Sequence, residues 1–115
     1  TVSAGASIFR RILLRTFLGR LINRPYHVQR ALGQVAELVA QGHEVVDHGT
    51  DGLERVDYPL YAAKVAQAVS DGDLDMGVLV CGTGLGMALA ASRFPGVRAV
   101  SLSDTFSARM ARRHN

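Results

Sequence analysis

Residues 78–91 read VLVCGTGLGMALAA and carry the clearest structural signal in the chain. They begin with a run of small apolar residues, which is typical of a parallel β-strand covered on both faces. The only cysteine, Cys81, ends this run, and glycines follow at positions 82, 84 and 86. The alanine- and leucine-rich residues after them favour a helix. The stretch therefore predicts a strand that passes through a glycine turn directly into a helix.

The sequence on either side alternates between extended and helical patterns. Strands are predicted at 43–50, 74–81 and 97–102, and helices at 28–41, from about 58 to 70, at 84–94 and at 105–115. Pro59 fits the first turn of the second helix, where no N–H is needed, and Ser103 or Asp104 can cap the last helix. One face of the first helix is apolar and is predicted to pack on the core: Leu32, Val35, Ala36 and Val39.

Alternating strands and helices with short connections predict an α/β fold. The expected architecture is a doubly wound parallel sheet with helices on both faces, a Rossmann-like three-layer sandwich. Ligands of such folds bind at the carboxyl ends of the strands. Cys81 follows one of these ends, while Gly49–Thr50 and Ser103–Asp104 follow two others.

Length and composition describe one soluble globular domain. The chain has 115 residues, of which 48% are hydrophobic and 20% charged. A single cysteine excludes an internal disulfide framework and favours a reducing compartment, so a cytoplasmic location is expected.

The net charge of +3 is unevenly distributed. Residues 1–30 hold six arginines and no acid, while residues 31–115 hold seven basic residues and all ten acids. A mildly acidic body argues against nucleic acid as a partner.

The opening segment, residues 1–27, differs from the domain predicted at 28–115. A basic amphipathic helix, ended by Pro25, is predicted here, because helical spacing puts the arginines on one side and the apolar residues on the other: Ile8, Phe9, Ile12, Leu13, Phe17 and Leu21. An arginine-rich start without acids resembles a mitochondrial transit peptide or a membrane-surface helix. A helix packed on the core and a stretch foreign to the domain are the alternatives, and a membrane partner is not expected.

The glycine turn after Cys81 brings a potential base next to hydrogen-bond donors. Glycines tolerate positive φ, so successive N–H groups can converge on one anionic oxygen. A helix that starts at the turn also favours a thiolate. A dinucleotide site would need a glycine where Met87 stands, and no Gly-Lys pair of a phosphate-binding loop follows. A buried, inert Cys81 with glycines that only permit close packing remains the competing interpretation.

Four stretches together resemble the ribose-5-phosphate isomerase B family, which includes the galactose-6-phosphate isomerase subunits. They are HEVVDHGT, VDYPLYAAKVAQAV, GVLVCGTGLGMALAASRFPGVRAV and SDTFSARMARRHN, and the resemblance runs from about residue 31 to residue 115. It implies aldose–ketose isomerisation of a sugar phosphate, ribose 5-phosphate to ribulose 5-phosphate, through an enediolate. The resemblance implies no metal and no organic cofactor.

The resemblance also implies roles for individual residues. It makes Cys81 the base that moves the proton, and His114 the group that assists opening of the sugar ring. Asn115 would contact the sugar and Tyr58 would line the pocket. The turn that holds the enediolate oxygen would consist of Gly82, Thr83, Gly84, Leu85 and Gly86. The family implies a homodimer or homotetramer, with His114 and Asn115 contributed to the neighbouring subunit's site.

Two features of the family have no counterpart in this sequence. The family opens with a strand and a Ser-Asp-His-Ala-Gly turn, and it ends with a strand and a helix that carries phosphate-binding arginines. We therefore expect a domain that is incomplete at both ends, without its first strand, and with little or no isomerase activity. The alternatives are a non-catalytic sugar-phosphate-binding fragment and a membrane- or organelle-directed protein that uses the arginine-rich segment.

Overall fold

A computed structural model describes residues 11–16, 24–49 and 56–115, with side chains from residue 32 onward within these ranges. This part of the chain contains three strands and four helices, which alternate as far as α3. In order they are β1 (Arg11–Thr16), α1 (Arg24–Ala40), β2 (Glu44–Asp47), α2 (Tyr58–Ser70), β3 (Met76–Val80), α3 (Leu85–Ala91) and α4 (Thr105–His114). The predicted α/β class is confirmed.

The strands form a parallel sheet in the order β2-β1-β3. Leu14 of β1 lies opposite Asp47 of β2 and Val78 of β3. The chain first adds β2 along one edge of β1 and later adds β3 along the other edge. The direction in which strands are added therefore reverses between β1 and β3. Parallel α/β sheets bind ligands at such a reversal, outside the carboxyl ends of the strands. Helices on both faces of the sheet stay a prediction.

The helix predicted between residues 8 and 21 is wrong for residues 11–16, which form β1. The expectation that the sheet lacks its first strand is wrong for the same reason, because β1 precedes α1. A three-residue apolar run does not distinguish strand from helix by periodicity, and pairing with two neighbours satisfies the backbone groups on both sides of β1. Residues 1–10 and 17–23 of the opening segment lie outside the described residues, and the domain division at residue 27 stays a prediction.

The strand predicted at 97–102 is also wrong, because these residues form no ladder with β3. A cavity of about 220 Å³ is lined by residues 96–99 together with residues of β3, α2, α3 and α4. Two serine hydroxyls hold the segment instead. Ser92 Oγ donates to the carbonyl of Ala99 at 3.3 Å, and Ser101 Oγ donates to the carbonyl of Thr83 at 3.0 Å.

The core lies between α2, α3 and β3. Its most buried members are Ala62, Val65, Ala66, Leu74, Met87 and Ala91. Ala62 and Met87 are fully buried, and both Tyr58 and Cys81 pack against them. Burial of this apolar cluster therefore also fixes the position of the turn after β3.

Most of the apolar face predicted for α1 does not face the core. Leu32 and Val39 are 48% and 55% exposed, Ala36 is exposed as well, and only Val35 of this face is half-buried. Gln34 and Leu38, which lie beside the predicted face, are also half-buried. The helix is thus rotated relative to its hydrophobic pattern, and this rotation turns the polar Gln34 inward.

Asp104, one of the two predicted caps, begins α4. Its carboxylate accepts from the backbone N–H of Ser107 at 2.7 Å and from Ser107 Oγ at 2.8 Å. These hydrogen bonds, the one from the backbone first, hold the pKa of Asp104 below its ordinary value of 3.8. A carboxyl whose pKa is lowered by folding stabilises the folded state above its unfolded-state pKa and loses that effect as pH falls through the folded-state value.

We expect Asp104→Ala to lower the melting temperature at neutral pH and to lose this deficit in strong acid. Thermal unfolding followed by circular dichroism over a pH series measures the difference from the unsubstituted chain. Asp104→Asn is the matched control, since asparagine caps helices about as well as aspartate but does not titrate. An Asp104→Ala deficit of the same size at neutral and strongly acidic pH would contradict the assignment.

Candidate active site

The turn at residues 81–84 follows β3 at the carboxyl edge of the sheet, beside the reversal of strand order. Gly84 has a φ of +77° and serves as the N-cap of α3. A Cβ on this residue would lie 2.7 Å from Ser101 Oγ. Both the left-handed backbone and the close serine therefore require glycine at this position.

The sulfur of Cys81 accepts a hydrogen bond inside the turn. The backbone N–H of Gly84 donates to Cys81 Sγ at a distance of 2.9 Å. The side chain is half-buried, with the Ala62–Met87 cluster on one side. The helix α3, which begins one residue after Gly84, has only seven residues.

A cavity of about 350 Å³ opens beside the sulfur. Its walls are formed by Gln34, Leu79, Val80, Cys81, Gly82, Thr83, Gly84, Leu102 and Ser103. Within the described ranges, the backbone N–H groups of Gly82 and Thr83 donate to no protein acceptor. The site thus combines a sulfur, two available amide donors and room for a small ligand.

The structure brings four of the predicted site residues to this cavity, namely Cys81, Gly82, Thr83 and Gly84. Two others meet next to it: Tyr58 Oη lies 2.6 Å from the position that a Cβ on Gly86 would take. Tyr58 and Gly86 line a separate cavity of about 540 Å³ together with Leu89 and Arg93. Tyr58, like Cys81, packs against the Ala62–Met87 cluster.

The other three predicted site residues do not line the Cys81 cavity in one chain. Leu85 is the first residue of α3 and is 61% exposed. His114 ends α4 and Asn115 follows it, both exposed, and the backbone N–H of Asn115 donates to the carbonyl of Ala111. Their contribution to a neighbouring subunit's site stays a prediction.

Three residues around the turn were not singled out from the sequence as ligand-binding groups. Gln34 and Leu102 line the cavity, and Ser101 bonds to the turn. Ser103, which the sequence placed after a strand end, also lines the cavity. The side-chain oxygen of Gln34 is buried and has no hydrogen-bond partner in the described part of the chain. A polar residue on the inward side of α1 would have been the signal, but the apolar pattern of α1 indicates a different face.

Among the side chains that the structure describes, at residues 32–49 and 56–115, no three His, Cys, Asp or Glu lie close enough together to hold a metal ion. None of the helices in these ranges combines the length and the apolar character that crossing a membrane requires.

Comparison with known proteins gives one consistent family. A family model described as Ribose/Galactose Isomerase matches residues 26–115. Ribose-5-phosphate isomerase B of Escherichia coli (strain K12) is 53% identical over 81 residues, which cover 70% of this chain and 54% of that protein. Galactose-6-phosphate isomerase subunit LacB of Clostridium acetobutylicum is 38% identical over 77 residues, which cover 67% of this chain and 44% of that protein.

The fold comparison agrees with the sequence comparison. The crystal structure of a ribose 5-phosphate isomerase from Thermotoga maritima superposes with a TM-score of 0.78 at 39% identity, covering 92% of this chain and 68% of that one. The chain spans about half the length of the two curated relatives. The family model covers more than half of the chain, and the resemblance inferred from the sequence is confirmed: this chain belongs to the ribose/galactose isomerase family.

Proposed function

We propose that the chain carries an aldose–ketose isomerase site that acts on a sugar phosphate. The observation that carries the proposal is the hydrogen-bonded sulfur of Cys81 beside the amides of Gly82 and Thr83, on the wall of one cavity. Relatives named as ribose-5-phosphate and galactose-6-phosphate isomerases support the reaction class. Ribose 5-phosphate, the substrate implied by the sequence, is the first candidate substrate.

The proposed chemistry is a proton transfer between adjacent carbons. The Cys81 thiolate removes the proton from C2 of the open-chain aldose, and the electron pair moves to give an enediolate. The N–H groups of Gly82 and Thr83 stabilise the negative charge that develops on O1. A proton then passes from O2 to O1, which places the negative charge on O2. The protonated sulfur returns its proton to C1, so that the ketose forms with no net oxidation and no loss of atoms. A general base works best when its pKa lies near the pH at which the reaction runs.

The remaining residues have supporting roles in the proposal. Gln34 has a buried oxygen that can accept from a sugar hydroxyl, because no protein donor in the described residues satisfies it. His114 would assist ring opening, since histidine exchanges protons near neutral pH. Asn115 would contact the sugar, and both would act from a neighbouring copy in a homodimer or homotetramer. The reaction as written requires no metal and no organic cofactor.

Deuterium exchange tests the proposal directly. The protein is incubated with ribose 5-phosphate in D₂O, and NMR follows both the C2 proton and the appearance of ribulose 5-phosphate. Loss of the C2 proton with formation of the ketose supports the isomerase. Saturable binding of the sugar phosphate without any deuterium uptake would overturn it in favour of the binding-only alternative. The expectation of little or no turnover stays a prediction, and the same time course measures it.

A further inference from the structure

Ser101 bonds to the glycine turn from a distant part of the chain. Its hydroxyl donates to the carbonyl of Thr83 at 3.0 Å, across 18 residues of sequence. It also lies close to Gly84, since a Cβ on that glycine would come within 2.7 Å of Ser101 Oγ. The serine belongs to the segment 97–102, which makes no ladder with β3.

The acceptor of this bond belongs to the peptide unit that contacts the sulfur. The carbonyl of Thr83 and the N–H of Gly84 are two ends of one planar group, and in a trans peptide they point in opposite directions. Ser101 Oγ donates to the carbonyl end, while the N–H end donates to Cys81 Sγ at 2.9 Å. The three groups therefore form a continuous hydrogen-bonded series from the Ser101 hydroxyl through the peptide unit to the sulfur.

Such a series acts on the sulfur in two ways. A peptide unit next to a glycine with positive φ can rotate at small cost between two turn types, which reverses its N–H and carbonyl directions. The bond from Ser101 opposes this rotation by fixing the carbonyl end. Donation to the carbonyl also polarises the peptide unit, so that its N–H becomes a stronger donor to the sulfur.

We propose that Ser101 is a positioning residue for Cys81, one that holds the Thr83–Gly84 peptide unit with its N–H toward the sulfur and thereby favours the thiolate. Ser101 does not line the Cys81 cavity, so this role is exerted through the turn. The catalytic consequence rests on the proposed function, whereas the effect on the sulfur does not.

The test compares threonine and valine at position 101, because the two side chains have nearly the same shape and only threonine keeps the hydroxyl. Cys81 is the only cysteine of the chain, so the rate of alkylation by iodoacetamide over a pH series reports this sulfur alone. We expect Ser101→Val to raise the midpoint of the alkylation profile by roughly half a pH unit, as part of a hydrogen bond to a charged group is lost. Ser101→Thr keeps the midpoint of the unsubstituted chain.

Ser92→Ala is the control for general loosening of the segment. It removes the hydroxyl that bonds to Ala99 in the same segment but does not reach the turn. The proposal is supported if Ser101→Val shifts the profile while Ser92→Ala does not. It is overturned if Ser101→Val leaves the midpoint unchanged, if Ser92→Ala shifts it equally, or if Ser101→Thr behaves as valine does.

The alkylation profile needs no substrate and no turnover, so its outcome is independent of the isomerase proposal. A shifted profile in a chain that never exchanges deuterium would retain the role of Ser101 and reject the proposed reaction. Where turnover is measurable, Ser101→Val should lower kcat about 2- to 5-fold with an unchanged KM, because the substrate-contacting groups remain in place.

Discussion

Replacing Cys81 by serine is expected to slow proton exchange at C2 of ribose 5-phosphate by about 10²–10⁴-fold, the usual contribution of a positioned base. Serine is similar in size to cysteine and can still accept the hydrogen bond from the N–H of Gly84. Its hydroxyl does not ionise near neutral pH, so the turn keeps its form and loses its base. The measurement is the rate of deuterium uptake by NMR, which accumulates over hours and therefore detects slow proton transfer.

Two further measurements make this result specific. Binding of ribose 5-phosphate to Cys81→Ser should remain within about 3-fold of the unsubstituted chain, because the amides of Gly82 and Thr83 are backbone groups that the substitution leaves in place. Ser92→Ala, whose side chain lies outside the site, should exchange at the rate of the unsubstituted chain. Exchange at an unchanged rate in Cys81→Ser would show that another group removes the proton.

Gly86→Ala is expected to destabilise the domain by about 1–3 kcal/mol, the usual cost of forcing an extra methyl group into a packed site. The new Cβ would lie 2.6 Å from Tyr58 Oη and 2.9 Å from two carbons of its ring. A ring cannot bend away as a flexible side chain does, and this one packs against the Ala62–Met87 cluster. Either α3 or Tyr58 must therefore move, and the turn after Cys81 moves with α3.

Gly33→Ala provides a matched control for this substitution. Gly33 lies inside α1, and a Cβ at this position would meet no atom within 4 Å. Alanine there should stabilise the chain by about 0.5–1 kcal/mol, since it restricts the unfolded chain and favours the helix. Urea unfolding measures both variants. Equal stabilities for Gly86→Ala and Gly33→Ala would mean that Tyr58 does not lie where the structure has it.

The elements that could be predicted from the sequence are those with a single consistent local signal. The apolar run before Cys81 and the glycines after it indicate a strand, a turn and a helix at the places where β3 and α3 are found. Pro59 marks the first turn of α2, and Asp104 caps α4. In each of these cases the chemistry of a few neighbouring residues determines the local structure.

The errors arise where non-local contacts decide the structure. Residues 11–16 contain three successive apolar residues among arginines, and only pairing with β2 and β3 makes them a strand. Residues 97–102 have a strand-like pattern, yet they form no ladder, and the hydroxyls of Ser92 and Ser101 bond to the backbone carbonyls of Ala99 and Thr83. Neither outcome can be obtained from periodicity, because the deciding partners lie far away in sequence.

The candidate site divides in the same way. Cys81, Gly82, Thr83 and Gly84 are adjacent in sequence, so their proximity follows from the motif itself. Gln34 and Ser101 come from distant segments, and their positions depend on the rotation of α1 and on the path of residues 97–102. Tyr58 and Gly86 were predicted as pocket residues, but only the folded chain shows that they contact each other.

The central position of β1 has a consequence for synthesis on the ribosome. β1 is translated before its partners, yet Leu14 can pair with Val78 only after the 63 intervening residues have also been made. Until then one edge of β1 has unpaired backbone groups that can associate with other nascent chains. Completion of β3 therefore covers this edge of β1, and it is also the step that places Cys81.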